Sequence, residues 1–187
     1  MNYSDLQFVL AGPGHSGSTW LGHVIRATRN IYVTHEINYL TWTKSHHSLD
    51  HFFEETNGAT ILGEHSNNYF SWDGIPEQLH KLNGDLKIII MVRNPVQKLI
   101  SNYLHDIRWG ILPRYVSLEM ALLPNYFERR YVHDSDYALN IISWLKFFPA
   151  SKVYLFRSPA DTRSCDQLPD LIEHLRVERC IVGVDRL

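Results

Sequence analysis

The chain has 187 residues, 20% of them charged and 44% hydrophobic, with a formal net charge of −2. That make-up belongs to a single globular domain over residues 1–187, large enough to bury a sizeable core. The near-neutral balance gives no global attraction for nucleic acid or a polyanionic glycan, and two cysteines, Cys165 and Cys180, make no disulfide framework.

The opening MNYSDLQ has neither a cationic nor an apolar leader region. Gln7 to Ala11 is predicted as a strand, and Ser18 to Thr28 as a helix starting right after a Gly-rich turn. Ile31 to Thr34 and Thr60 to Gly63 are two more short strands. Pro76 to Leu82 reads as a helix with proline near its first turn. Lys87 to Val92 is wholly apolar after its lysine, as in a parallel sheet covered on both faces. The longest apolar run, Leu86 to Val92, is too short to span a bilayer, so a cytoplasmic chain without a membrane span is expected. Pro95 starts a further helix, continued by Val96 to His105. Ser117 to Leu123, Ser135 to Phe148 and Leu168 to Leu175 read as helices, and Lys152 to Phe156 as a strand. Leu139, Ile142, Leu145 and Phe148 recur at helical spacing and are expected in the core. The alternation predicts an α/β fold: a three-layer P-loop-type domain with a mostly parallel central sheet flanked by helices. In such sheets the ligand crevice lies beyond the carboxyl ends of the strands.

The segment FVLAGPGHSGSTWL has the order of an anion site. An apolar strand enters a loop with Gly12, Gly14 and Gly17, and a helix follows. Glycines let several backbone N–H groups point at one anion, and the helix adds its positive end. Ser16, Ser18 and Thr19 add hydroxyl donors. A plain strand-to-helix turn has similar residues. From Gly12 the spacing matches the nucleotide triphosphatase loop, but Ser18 stands where that loop has its lysine. The best strand ends in Arg93 instead of a magnesium-holding aspartate. The eleven histidines are scattered along the chain, and no metal is expected.

A second anion site is legible in KIIIMVRNPVQKLISNYLHD. Arg93 ends a buried strand, and Ser101 follows eight residues later, about two turns into a helix. A guanidinium fork and a hydroxyl there suit a phosphate; an Arg paired with an acid is the alternative.

With these residues in view, the chain resembles the sulfotransferases that use 3′-phosphoadenosine 5′-phosphosulfate (PAPS). Their first motif, a basic residue followed by Ser or Gly, Gly, two hydroxyl residues and Trp, is matched by His15, Ser16, Gly17, Ser18, Thr19 and Trp20. Their Arg-Asp/Asn-Pro motif, with its later Ser, is matched by Arg93, Asn94, Pro95 and Ser101. The resemblance covers roughly residues 7–176 and is closest to the heparan sulfate type. It implies that Gly14 to Trp20 hold the 5′-phosphosulfate, that Arg93 and Ser101 hold the 3′-phosphate, and that Trp20 stacks on adenine. THEINYLTW resembles the stretch with the catalytic glutamate, which places the base at Glu36. GEHSNNYF resembles Glu-Lys-Ser/Thr-Pro-x-Tyr-Phe, which places His65 at a catalytic lysine.

His15 and His65 both stand where the family has Lys or Arg, and are the candidates for stabilising the leaving oxygen. Histidine titrates near ~6.5, where lysine stays charged, so a bell-shaped pH–rate profile is expected. Glu64, Ser66 and Tyr69 are expected to shape the acceptor side. Tyr39, Trp42, Trp72 and Trp109 are candidates for the pocket or for core packing. The family's later Gly- and basic-rich covering loop has no counterpart legible before Leu187. The implied activity is sulfuryl transfer from PAPS, leaving PAP, to a hydroxyl or amine of a small molecule or sugar. An ATP-using phosphotransferase and a non-catalytic PAP-binding module are the alternatives.

Overall fold

The computed structural model describes residues 2–41, 48–123, 131–162 and 165–176. Strands β1 (Phe8–Leu10), β2 (Ile31–Glu36), β3 (Ile61–His65), β4 (Lys87–Val92) and β5 (Val153–Arg157) form one parallel sheet in the order β2-β3-β1-β4-β5. The winding reverses around β1, between β3 and β4. Open parallel sheets bind their ligands at such a switch point, beyond the carboxyl ends of the strands.

Alternate residues of β4 serve the two faces of the sheet. Ile88 and Ile90 pack with Val9, Leu79, Trp144 and Phe148, while Ile89 and Met91 pack with Phe8, Leu10, Leu21, Ile25 and Leu171. Both faces are therefore covered, which is why this strand is an unbroken apolar run without polar alternation. One cover is α1 (Ser18–Arg26), joined by a helix at Leu168–Leu175. The other includes α2 (Ile75–Leu82) and a helix at Tyr137–Leu145. Leu21 and Ile25, one turn apart on α1, are fully buried, and each contributes about 1.5–3 kcal/mol through burial.

The helix after β4, α3 (Pro95–Arg108), explains why Arg-Asn-Pro is a structural unit. Asn94 caps it, its side-chain oxygen accepting from the N–H groups of Val96 and Gln97, both at 3.1 Å. Pro95 takes the first helical position, where a missing N–H costs nothing. Arg93 is thereby fixed at the last residue before a rigid element.

The expected elements are present, with shifted ends. The expected helix from Ser117 shrinks to the one-turn α4 (Leu118–Ala121), and the one from Ser135 becomes α5 (Tyr137–Leu145) after a 3-10 turn at His133–Ser135. Short α6 (Pro159–Thr162) and α7 (Leu168–Leu175) close the described chain. The core face of α5 departs from expectation. Leu139, Ile142 and Leu145 are 55%, 55% and 43% exposed, and of the four periodic residues only Phe148 is core. Asn140 and Trp144 face inward instead. The segment YALNIISWL is apolar on nearly every side, so spacing alone does not choose a stripe. Two hydrogen-bonded groups choose it: the Trp144 indole N–H donates to the Phe70 carbonyl at 3.1 Å, and the Asn140 amide donates to the carbonyls of His133 and Asp136 at 2.8 Å each.

Cys165 is exposed and free; Cys180 and Trp42 lie outside the described residues. Among the described residues no helix is long and apolar enough to cross a membrane.

Candidate active site

Residues Gly12 to Gly17 turn over the carboxyl end of β1 before α1 begins. Gly12 has φ +93°, and a Cβ there would lie 2.4 Å from the Asn67 carbonyl oxygen, so this position takes glycine alone. Gly17, at φ +97°, is the N-cap of α1 and supplies no side-chain acceptor. The first N–H groups of the helix therefore receive no side-chain cap from it, and the helix's positive end lies at the loop. Ser16 and Ser18 are buried, Gly14 and His15 half-buried, and Thr19 and Trp20 exposed. The Trp20 ring leans on Phe156 at 6.4 Å between centroids.

Arg93 joins this loop directly. Its Nη1 donates to the His15 carbonyl at 2.8 Å. Its Nε is buried without a hydrogen-bond partner, 3.8 Å from a carboxylate oxygen of Asp161. Both sequence readings of Arg93, an anion fork and a strand-end partner for an acid, therefore have a footing. Ser101 is half-buried two turns into α3, without a hydrogen bond to Arg93. The His15 ring meets His105 edge-on at 4.7 Å, and His105 in turn meets Trp109 at 6.1 Å.

Tyr137 was not singled out by the sequence. Its hydroxyl lies 3.0 Å from Ser16 Oγ and accepts the Arg93 backbone N–H at 3.2 Å, bridging the glycine-rich loop and the Arg-Asn-Pro segment. A tyrosine at a helix start carries no local signal; the link spans 121 residues to Ser16.

Glu36 and His65 meet at the carboxyl ends of β2 and β3. The pairing runs Val33↔Gly63 and then Glu36↔His65, so β2 carries one extra residue. That bulge puts Glu36, not His35, opposite His65 and re-aims the side chains beyond it. Asn67 links the group. Its amide nitrogen donates to one Glu36 oxygen, and the Asn38 amide donates to the other at 3.0 Å. Its amide oxygen lies 2.6 Å from Ser18 Oγ, which donates, and 2.9 Å from His65 Nε2.

His65 is 2% exposed, and burial pushes its pKa down to about 4; nearby Arg26, His35 and His23 act in the same direction against the hydrogen bond to Asn67. At neutral pH this imidazole is a neutral donor, in contrast to the lysine whose place it takes.

Glu64, Ser66 and Tyr69 do not line an acceptor pocket: all three are fully buried. Tyr3 donates to Glu64 at 2.6 Å, Ser66 donates to its other oxygen at 2.5 Å, and the Tyr69 hydroxyl, 3.0 Å from that of Tyr3, accepts the Leu40 N–H at 2.7 Å. Burial raises the pKa of Glu64, and these hydroxyls act against that rise. The cluster braces the segment after Glu36 from beneath. Trp72 lies in a separate cleft of about 200 Å³ with Leu139 and Ile142, and Tyr39 packs against the core. A larger cleft of about 460 Å³ runs along β2 from Asn30 to His35, the neighbour of Glu36. Among the described residues, no three His, Cys, Asp or Glu side chains converge as a metal site.

A family model described as "Sulfotransferase domain" matches residues 5–157. The chain belongs to the sulfotransferase domain family. Heparan sulfate glucosamine 3-O-sulfotransferase 5 of Mus musculus is 29% identical over 118 residues, which cover 59% of this chain and 34% of that protein. Heparan sulfate glucosamine 3-O-sulfotransferase 6 of Mus musculus is 33% identical over 101 residues, 52% of this chain and 29% of that protein. The matched part of the domain thus corresponds to about a third of the length of these curated relatives. Among solved structures, a sulfotransferase from Alicyclobacillus acidocaldarius superposes with a TM-score of 0.75 at 20% identity, covering 91% of this chain and 80% of that one. Mouse SULT7A1 complexed with PAP superposes with a TM-score of 0.61 at 18% identity, covering 95% of this chain and 61% of that one. These neighbours share the parallel-sheet fold of this sulfotransferase domain.

Proposed function

We propose that this chain moves a sulfuryl group from PAPS to a hydroxyl or amine of a small-molecule or sugar acceptor. The observation that carries the reading is the hydrogen-bonded path from Glu36 through Asn67 to Ser18. It sets a carboxylate at the mouth of an anion-binding loop that Arg93 also grips. The residues fit an anionic nucleotide: a loop that only glycine can turn, a helix start free of side-chain caps, and a buried Arg93 Nε that makes no hydrogen bond beside its longer ion pair with Asp161.

When bound, PAPS supplies an activated sulfuryl group on a phosphate leaving group. The loop N–H groups with Gly14, Ser16, Gly17, Ser18 and Thr19 hold the 5′ end, Arg93 and Ser101 hold the 3′-phosphate, and Trp20 offers adenine a face. Glu36 takes the proton of the acceptor, a role worth typically ~10²–10⁴-fold. His15 donates a hydrogen bond where negative charge grows; one such donor is typically worth ~2.7–4 kcal/mol. Neutral His65 has one ring N–H, and its Nε2 faces Asn67, so it orders the site where the family's lysine would carry charge.

Family membership favours this over ATP-dependent phosphoryl transfer, and the Ser18 hydroxyl is already turned to Asn67. The test is thermal shift with PAP, AMP, ATP and inorganic sulfate, followed by radiolabel transfer from PAPS to a panel of glucosamine-containing glycans, simple alcohols and amines. Specific stabilisation by PAP is expected; a ligand at ~100 times its Kd adds ~2.7 kcal/mol. Stabilisation by ATP over PAP would overturn the reading. PAP binding without transfer to any acceptor would leave a nucleotide-binding module.

A further inference from the structure

We infer that Asn67 is the positioning residue of this site: it holds the Glu36 carboxylate toward the anion loop and fixes which ring nitrogen of His65 carries the proton. The inference rests on Glu36 being the base. The related pattern Glu-Lys-Ser/Thr-Pro-x-Tyr-Phe has proline at this place, which has no side-chain donor or acceptor; this chain has Asn67.

The hydrogen-bond logic admits one arrangement. An ionised carboxylate only accepts, so the Asn67 atom facing Glu36 is the NH₂ group. The amide oxygen must then face the other two partners, Ser18 and His65. An amide oxygen only accepts, so both of them donate. His65 therefore carries its proton on Nε2, and its Nδ1 lies toward Gly22 of α1. One primary amide thus orders the base, the histidine in the lysine position, and a hydroxyl of the cofactor loop.

The anchoring of Asn67 is rigid on its other side. Its backbone carbonyl sits against Gly12, where a Cβ would come within 2.4 Å of it. The next residue, Asn68, donates its N–H to Asn38 Oδ1 at 2.9 Å, and Asn38 in turn holds the second Glu36 oxygen. The charged and titratable groups that act on His65 are Arg26, His35 and His23.

The experiment uses the full chain carrying Asn67→Ala or Asn67→Asp. Aspartate keeps an acceptor for Ser18 and His65 but cannot donate to Glu36, and it repels that carboxylate. The first readout is the ¹⁵N–¹H ring spectrum of His65. The wild type is expected as the Nε2–H tautomer, Asn67→Asp keeps that tautomer, and Asn67→Ala loses it in part. The second readout is turnover with saturating PAPS and acceptor. Both variants are expected to lose about 10- to 100-fold in kcat, with PAP affinity within about threefold of wild type. Wild-type kcat in both variants, an Nδ1–H wild-type tautomer, or a loss confined to PAP affinity would each overturn the inference. If the wild type transfers sulfuryl to no acceptor, the sulfuryl-transfer reading fails while the ring spectrum still decides the role of Asn67 toward His65.

Discussion

Arg93 Nη1 donates a 2.8 Å hydrogen bond to the carbonyl oxygen of His15, so the residue that directly follows β4 also holds the loop that follows β1. One side chain therefore joins the Arg-Asn-Pro segment to the glycine-rich loop, and the Tyr137 hydroxyl repeats the link through Ser16 and the Arg93 backbone. Removing either partner affects the shape of the loop as well as any direct contact with a phosphate.

Arg93→Ala removes a charged hydrogen bond worth about 1.5–3 kcal/mol, so PAP affinity is expected to fall by roughly one to two decades. AMP, which has no 3′-phosphate, is expected to lose only a few-fold, the part due to the loosened loop. Titration calorimetry with both ligands separates the two contributions. Equal losses would mean that Arg93 acts only by holding His15.

Tyr137→Phe deletes the bridge and leaves the fold of α5 in place, since its ring still packs on Phe70 at 5.5 Å. A neutral hydrogen bond is worth about 0.5–1.5 kcal/mol, so PAP should bind roughly three- to tenfold more weakly. Unchanged affinity would show that Ser16 and Arg93 hold their places without it.

Glu36→Gln preserves the size of the side chain and removes the base. Transfer is expected to fall at least ~10²-fold while PAP affinity is retained. A variant with near wild-type turnover would remove Glu36 from the chemistry.

His65 links pH to stability. Burial lowers its pKa in the fold from an ordinary 6.5 to about 4, so protonation favours the unfolded chain. The stabilisation is complete above pH ~6.5 and is lost progressively as pH falls toward 4, by ~3 kcal/mol in all. Denaturant melts at pH 7.5 and 5 should therefore show a steeper loss for wild type than for His65→Gln, which keeps a donor toward Asn67. Parallel losses would place the acid-sensitive group elsewhere. The same burial shifts the expected origin of any alkaline limb in the pH–rate profile from His65 to His15. That limb is expected to move up in His15→Lys.

The local patterns were enough to place the sheet, the glycine-rich loop after β1 and the strand-end arginine. Strands and turns are written in near-neighbour residues: the apolar run ending at Val92, the glycines around His15, and the proline that starts α3. Residues 87–92 and 168–175 have the predicted bounds for the same reason. What depends on distant contacts was not legible. A one-residue bulge in β2 brings Glu36 opposite His65, and no residue type announces it. Asn67 reaches Ser18 across 49 residues, and Tyr137 reaches Ser16 across 121. On α5 the apolar spacing pointed to Leu139, Ile142 and Leu145, but the indole of Trp144 and the amide of Asn140 found buried partners and turned the other face inward. Composition and spacing determine which segments form elements, because those forces act between neighbours. Which side chains share a proton or a charge is decided only when the sheet brings the strand ends together.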